Sequence, residues 1–307
     1  MAVNLHTHSL FSVDGWQTPE ALAEQQASKG ATVLSLTDHN TTDGLPRCRR
    51  QAERLGMRFI NGMEADAFWQ GESLHFLALG FELPHAGLEA FCRSQCEQYT
   101  ANYDRIHPLL ESRYGVSRAT LIAGLATRYP THRFPMLNQW FVLDHMENSE
   151  RFADRNSARA AMNKLIAEAE RGMAKPFDWA SFHTVRDVVH AAGGILLLAH
   201  VASYRPGDWS GQSSLIESLL DAGLDGFELY HPANTREPHF QTMVSAARQW
   251  GCAVSGGTDD HGDSEYRRAS DPVVAPEWLV ETLDNALANQ RAFTRPSSPR
   301  PQPACDR

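Results

Sequence analysis

Short apolar runs alternate with stretches of helical spacing over the first 80 residues and again from residue 183 onward. The apolar runs predict buried parallel strands at residues 2–5, 31–37, 57–63, 75–80, 194–199, 226–230 and 253–258. The intervening stretches predict helices at residues 19–29, 44–55, 185–192, 212–220, 238–250 and 276–289. The first of these helices has Pro19 directly after Thr18, a typical start, and Gly30 at its end. This alternation of predicted strands and helices favours an α/β fold with a parallel barrel.

Residues 85–180 have a different pattern. Three stretches in this region, 88–110, 118–128 and 157–171, show helical apolar spacing with no strand-like runs between them. The pattern therefore predicts a helical insert that separates two parts of the barrel. The predicted divisions are residues 1–84 for the first part of the barrel, 85–180 for the insert, 181–294 for the second part, and a polar, proline-rich, disordered tail at 295–307.

Most of the predicted strands end in ionisable side chains. His6 and His8 are two apart, so a strand would point both to one face. Because strand ends of a parallel barrel meet at one rim, the other strand-end residues would converge on them. Capping of the following helices would explain an isolated aspartate, but not several runs ending in histidine. Imidazole and carboxylate groups suit zinc, manganese or iron. The side chains at these ends are His6, His8, Asp38, His39, Glu64, His200, Glu228, His231, Asp259 and His261.

Composition narrows the class of protein. The chain has 307 residues, of which 42% are hydrophobic and 21% charged, as is typical of a globular protein. A net charge of -9 argues against a broad surface for duplex nucleic acid. We expect no signal peptide and no membrane span, and the five cysteines lack C-x-x-C spacing. We therefore expect a cytoplasmic protein with reduced thiols.

The ordered motifs resemble those of the PHP (polymerase and histidinol phosphatase) family over residues 1–80 and 183–262. The motifs are His6-Thr7-His8-Ser9, Asp14-Gly15, Thr37-Asp38-His39-Asn40, Gly62-Met63-Glu64, His75, His200 and Thr258-Asp259-Asp260-His261-Gly262. The sequence departs from the family at two positions, with Val201 where proline is usual and Asp260 where an aromatic residue is common. The resemblance implies a distorted (β/α)7-type barrel, with the helical insert capping the active site.

The resemblance also implies a cofactor of two to three divalent metal ions, which would be Mn, Fe or Zn. One ion would be bound by His6, His8, Glu64 and Asp259, a second by Glu64, His75 and His200, and a third by Asp14, His39 and His261. Glu64 would bridge two ions, and a shared hydroxide would attack phosphorus. Glu64, Asp259 and His231 are the expected catalytic residues. Asp38 would either orient a ligand imidazole or cap the following turn.

The insert, with its Lys175-Pro176, resembles the branch that hydrolyses 3',5'-nucleoside bisphosphates and trims short RNA from the 5' end. We therefore expect a phosphoesterase that removes the 3'-phosphate of such nucleotides, with short RNA as a further substrate. Arg133, Lys175 and His231 are the candidate phosphate contacts.

Three alternatives stay open at this point. The first is a histidinol-phosphate or cyclic-phosphate hydrolase. The second is a metal-dependent amidohydrolase acting on C–N bonds. That class usually has a lysine between its metals, and no predicted strand here ends in lysine. The third is a non-catalytic remnant that has lost metal ligands. Against this alternative, suitable side chains occupy all nine expected ligand positions.

Overall fold

The computed structural model describes residues 1–12, 14–126, 142–143, 145–146, 152–169, 171, 180–262 and 270–294. The strands there are β1 (Ala2–Asn4), β2 (Val33–Leu36), β3 (Arg58–Trp69), β4 (Glu72–Leu79), β5 (Ala180–Ser181), β6 (Ile195–Leu198), β7 (Gly226–Tyr230), β8 (Ala253–Gly256) and β9 (Val273–Val274). The helices are α1 (Pro19–Ser28), α2 (Leu45–Arg54), α3 (Ala86–Tyr114), α4 (Arg118–Ala126), α5 (Arg155–Ala169), α6 (Phe182–Ala191), α7 (Trp209–Asp221), α8 (Pro232–Thr235), α9 (Phe240–Trp250) and α10 (Glu277–Thr294).

The strands form one sheet that is nearly closed into a barrel. Their order is β8-β7-β6-β4-β3-β2-β1-β9, and β5 pairs with β3. The amide of Leu5 donates to the carbonyl of Gly256 at 3.0 Å, and Thr7 forms a parallel β-bridge with Asp260. The chain after β1 therefore lies beside the chain after β8. Helices alternate with most of these strands. The expected α/β fold with a (β/α)7-type barrel is therefore confirmed.

One part of the expected parallel sheet is wrong, because β4 runs antiparallel to both β3 and β6. The connection between β3 and β4 is only Gln70-Gly71, with φ angles of +49° and +88°. Two residues with positive φ form the tight turn of a hairpin, whereas a parallel connection needs a long crossover. β4 also begins at Glu72, so His75 lies inside the strand and not at its start.

The helices were predicted closely, whereas the shortest elements were missed. β5, α8 and β9 are two to four residues long, which is too short to produce a periodic pattern. Helices α3, α4 and α5 lie in the predicted insert and share buried side chains that form a cluster separate from the barrel core. Tyr103, Ile106, Leu121 and Leu165 belong to this second cluster. The division into domains stays a prediction, and the tail at 295–307 lies outside the described residues.

The barrel core explains how the strand ends are held. Apolar side chains of the strands and of the surrounding helices form one continuous buried cluster. Val201 belongs to it and is fully buried at the start of a short 3-10 helix, Val201–Ser203. In the described part of the chain, no helix combines the length and the apolar character needed to cross a bilayer.

Candidate metal centre

His6 and His8 follow β1 and point to the same place, as the strand alternation predicted. Nε2 of His6 lies 2.9 Å from Oε2 of Glu64 and 3.3 Å from Oδ1 of Asp259. Nε2 of His8 lies 3.1 Å and 3.0 Å from the same two oxygens. Both imidazoles and Glu64 are buried, and Asp259 is partly exposed. Four donor atoms from three distant segments therefore surround one point.

Glu64 lies inside β3, and its two oxygens face different histidines. Oε1 is 2.9 Å from Nδ1 of His75 and 3.2 Å from Nε2 of His200. Oε2 faces His6 and His8, and is also 3.4 Å from Nε2 of His39. A carboxylate whose oxygens face separate sets of imidazoles has the arrangement needed to bridge two ions.

A further group forms around Asp14. Its Oδ2 lies 2.9 Å from Nε2 of His261 and 3.6 Å from Nε2 of His39. Donor atoms of His8, Asp14 and His261 form one compact set, and those of His39, Glu64 and His75 form another. The structure thus brings all nine expected ligands to one end of the barrel. It places His39 nearer to Glu64 than to Asp14, unlike the expected grouping.

The donor set fits divalent ions. Neighbouring ligands at 2.0–2.2 Å from an ion are roughly 3.0–3.5 Å apart, which is close to the separations seen here. Nε2 of His8 is buried and makes no hydrogen bond to any described residue, although two carboxylate oxygens lie within 3.1 Å. The donor atoms of His6, His8, Glu64 and Asp259 lie around one shared point, as metal ligands do.

Charge in the cluster is balanced between carboxylates and imidazoles. Burial alone would raise the pKa of Glu64, but the imidazoles of His6, His39 and His75 hold it well below its usual value. The pKa of Asp259 is held low in the same way, against its burial, by His261 and His6. These groups are therefore carboxylates at neutral pH, the form in which they bind cations.

Buried groups behind the ligands hold them in place. Glu228, in the middle of β7, has Oε1 3.1 Å from Nδ1 of His6, and its Oε2 accepts from the backbone amide of His200 at 2.8 Å. Asp38 accepts from the amide and the hydroxyl of Ser9 at 2.6 Å and 2.8 Å. Asp38 therefore fixes the loop that follows His8, a role that was not among the two expected for it.

The model of the PHP domain family matches residues 4–170, more than half of the chain. The chain belongs to the PHP family. The resemblance seen in its motifs is confirmed, and the chain is a metal-dependent phosphoesterase.

Curated relatives of this PHP chain cover most of its length. It is 31% identical to a phosphoribosyl 1,2-cyclic phosphate 1,2-diphosphodiesterase of Eggerthella lenta, over 85% of this chain and 95% of the relative. It is 27% identical to a 3',5'-nucleoside bisphosphate phosphatase of Chromobacterium violaceum, over 90% and 95% of the two chains. It is also 27% identical to a 5'-3' exoribonuclease of Haemophilus influenzae, over 84% and 89%.

Two solved structures support the PHP fold. One is a proposed metal-dependent phosphoesterase from Bifidobacterium adolescentis, with a TM-score of 0.75, 20% identity, and coverage of 92% of this chain and 96% of the other. The other is described as an amidohydrolase from Chromobacterium violaceum, with a TM-score of 0.72, 23% identity, and coverage of 93% and 97%. At these identities the likeness concerns the fold and not the reaction.

Of the three expected substrate contacts, His231 is the one that lies among the described residues. It lines a cleft of about 330 Å³ together with Thr258, Asp259 and His261. The amide of Ala233 donates to Nδ1 of His231 at 3.1 Å, so the proton of the neutral ring is on Nε2. Nε2 is buried and makes no hydrogen bond to a described residue, and burial lowers the pKa of the ring. Arg133 and Lys175 lie outside the described residues.

Of the two departures from the PHP pattern, Asp260 has visible partners. Its carboxylate accepts from Nε2 of Gln26 at 2.7 Å and from the amide of Gly262 at 2.9 Å. The side chain is therefore engaged by α1 and by the backbone of its own loop. These contacts were not predictable from the sequence, because Gln26 belongs to no motif and is buried only through the packing of α1.

Strained backbone marks the same region. Asn40, His200 and Asp259 have φ angles of +52°, +31° and +52°, which non-glycine residues rarely adopt. Two of the three are proposed ligands, and Asn40 follows a third. Such strain is often retained where a functional geometry requires it. Nothing in a single sequence indicates it.

Proposed function

We propose that this phosphoesterase hydrolyses a phosphate ester on a ribose that carries a second phosphate. Its leading substrates would be nucleoside 3',5'-bisphosphates, from which it removes the 3'-phosphate. The proposal that the reaction is a hydrolysis at metal ions rests on the geometry of Glu64, whose two carboxylate oxygens face separate sets of imidazoles. Short RNA is a further proposed substrate, and a cytoplasmic location stays a prediction.

The proposed ligands are His6, His8, Asp14, His39, Glu64, His75, His200, Asp259 and His261, and they would hold two to three ions of Mn, Fe or Zn. Bound ions would polarise the phosphoryl oxygens and lower the pKa of a water near them. The side chains of the protein then have two roles, binding the cations and orienting the ligand rings. Glu64 and Asp259 supply negative charge that holds the cations, and Glu228 keeps the His6 ring in orientation.

His231 is proposed to contact the reacting ester. Because its Nδ1 accepts from Ala233, the neutral ring keeps its proton on Nε2, a buried donor with no partner among the described residues. A neutral N–H donor suits a phosphate oxygen or the leaving oxygen, and it needs no rotation of the ring when substrate binds. Arg133 and Lys175 stay predictions as contacts for the second phosphate.

The substrate class is supported by what the relatives' names share. A nucleoside bisphosphate, a phosphoribosyl cyclic phosphate and RNA are all phosphate esters of ribose. A bisphosphate also offers a distant phosphate whose binding helps to position the reacting one. Bound cations would make the site attractive to both phosphates despite the acidic chain.

The test is a comparison of substrates with manganese present. Adenosine 3',5'-bisphosphate should be cleaved to AMP with a kcat/KM well above that for release of phosphate from AMP. Chelation should abolish both activities, and Glu64→Gln serves as the inactive control. Equal turnover of the two nucleotides would contradict the proposed substrate, since the second phosphate would then contribute nothing.

A cyclic phosphodiester of ribose is the second candidate. It is favoured by the 31% identity to the diphosphodiesterase of Eggerthella lenta over nearly all of that protein. Including phosphoribosyl 1,2-cyclic phosphate in the same assay separates the two candidates. A higher kcat/KM for it than for the bisphosphate would make the cyclic ester the substrate.

A further inference from the structure

Asp66 is a buried carboxylate beside the proposed metal centre that no expected ligand set includes. It lies two residues after Glu64 on β3, so both side chains are on the same face of the strand. In the β3–β4 hairpin, Asp66 is directly opposite His75. Asp66 is 5% exposed. Sequence and register together therefore place an acidic side chain against one of the proposed ligand rings.

The imidazoles of His39 and His75 both lie between Glu64 and Asp66. His75 has Nδ1 2.9 Å from Oε1 of Glu64 and Nε2 3.2 Å from Oδ1 of Asp66. His39 has Nε2 3.4 Å from Oε2 of Glu64 and Nδ1 3.7 Å from Oδ1 of Asp66. His75 thus presents one nitrogen to the bridging carboxylate and the other to Asp66, whereas Nδ1 of His39 is too far from Asp66 for a hydrogen bond.

The other oxygen of Asp66 is held by the insert. Oδ2 accepts from the hydroxyl of Tyr99 at 2.5 Å and from Nδ2 of Asn40 at 2.5 Å. Tyr99 belongs to α3, and Gln95 of the same helix donates to the backbone carbonyl of Asp66 at 3.2 Å. Two side chains of α3 therefore donate hydrogen bonds to one residue of the barrel that lies next to the proposed ligands.

The geometry points to Asp66 as a positioning residue that fixes the ring of His75 and connects α3 to the metal centre. Both nitrogens of His75 face a carboxylate, which can only accept, so a lone pair on Nδ1 toward the metal centre requires the proton on Nε2. Asp66 favours that tautomer, because its Oδ1 lies 3.2 Å from Nε2. A partner of this kind fixes the tautomer and orientation of a ligand. The inference rests on the metal centre proposed above.

A role as a simple anchor for α3 is the competing interpretation. An anchor would affect the free energy of unfolding but would leave the affinity of a folded protein for metal unchanged. The two interpretations therefore differ in metal binding, which can be measured without assaying activity.

The test is competition of the protein with a chromophoric chelator for Zn²⁺ or Mn²⁺. Asp66→Asn keeps the size of the side chain but replaces an acceptor by an amide that would face Tyr99 or a ring. We expect its affinity for one equivalent of metal to fall ~10- to 100-fold, with the other equivalents unchanged. Tyr99→Phe removes one donor to Asp66 and should give a smaller loss in the same equivalent.

Asp225→Asn is the matched control. Asp225 accepts from Nε2 of His190 at 2.8 Å and from the amide of Leu196 at 2.7 Å, so it too joins a histidine to a strand. Neither partner is a proposed ligand. This variant should lower the unfolding temperature without changing metal affinity.

Wild-type affinity for every equivalent in folded Asp66→Asn would overturn the inference. If Asp66→Asn does not fold, Tyr99→Phe decides, and wild-type metal affinity in that variant overturns the inference in the same way. Failure of the proposed metal centre itself is a separate result: in that case the wild-type protein would bind no divalent ion.

Discussion

Glu228 is buried in the middle of β7 and contacts two of the proposed ligand residues at once. Its oxygens face Nδ1 of His6 and the backbone amide of His200. Glu228→Gln keeps the volume, but an amide can accept through only one of its two terminal atoms. The other donor would then face an NH2 group. We expect metal affinity to fall ~10- to 100-fold, measured by competition with a chelator.

The control for Glu228→Gln is Glu217→Gln, since Glu217 is an exposed residue of α7. It should bind metal like the wild type. Wild-type affinity in folded Glu228→Gln would mean that the orientation of His6 does not depend on this carboxylate.

His231 allows a prediction that separates substrate contact from metal binding. His231→Phe keeps a planar ring but removes the Nε2–H donor of a residue that lines the cleft. A lost hydrogen bond to a charged group costs about 1.5–3 kcal/mol, so kcat/KM should fall roughly ten- to hundredfold. Metal content should stay at the wild-type value, because His231 is not a proposed ligand. Steady-state kinetics and metal analysis on one preparation provide both measurements.

His183→Phe is the matched control for this variant, since His183 is exposed at the start of α6. It should retain the wild-type kcat/KM. Loss of metal from His231→Phe would show that His231 supports the ions, and the proposed contact with the ester would then be wrong.

Among the elements, the β3–β4 hairpin turns a parallel sheet locally antiparallel and brings His75 opposite Asp66. Gly71 of its turn has a φ of +88°, and a Cβ added there would meet no atom within 4 Å. Gly71→Ala therefore introduces backbone strain alone and should lower the free energy of unfolding by about 1 kcal/mol. The unfolding temperature should drop, with kcat unchanged.

Gly71→Asn is the control for the turn, because asparagine tolerates the left-handed conformation better than alanine does. It should lose less stability than Gly71→Ala. An equal loss in both variants would indicate that the turn does not hold this conformation in solution.

The same hairpin shows what the sequence could and could not predict. The convergence of His6, His8 and His200 was predictable because these residues follow strand ends, and barrel strand ends converge whatever the details of packing. Asp66 was not, because its significance depends on a register that places His75 opposite it. That register follows from a two-residue turn, whose Gln70-Gly71 is a weaker signal than Asn-Gly. Helices were predicted well, since long amphipathic segments carry many periodic positions.

At the scale of the whole molecule, the cluster of acids and imidazoles links folding, protons and metal. In chelator-stripped protein, burial opposes protonation of His8, but Asp259 and Glu64 raise its pKa to about 10. Glu64 and Asp66 likewise raise the pKa of His75 to about 9, against its burial. Both rings are therefore protonated at neutral pH without metal, and each charged ring pairs with carboxylates.

Because these pKa values lie above the ordinary 6.5, the pairs stabilise the stripped protein fully below about pH 6.5. Their contribution is lost as the pH rises through about 9 and about 10. A bound cation needs the neutral imidazole, so metal must displace these protons. We expect metal binding near neutral pH to release protons, and the apparent affinity to rise with pH up to that range. Calorimetry in two buffers of different ionisation enthalpy measures the release.

The control is His8→Gln, which removes one of the titrating rings and should release fewer protons per metal bound. Chemical unfolding of stripped wild-type protein supplies the second measurement, with a free energy of unfolding that falls as the pH is raised above neutral. Metal-loaded protein should not show this fall, because its histidines are already neutral. Metal binding without proton release, or stripped protein that gains stability toward pH 9, would contradict the coupling. In that case, the charge of the buried carboxylates in the stripped protein would not be balanced by protonated rings of His8 and His75.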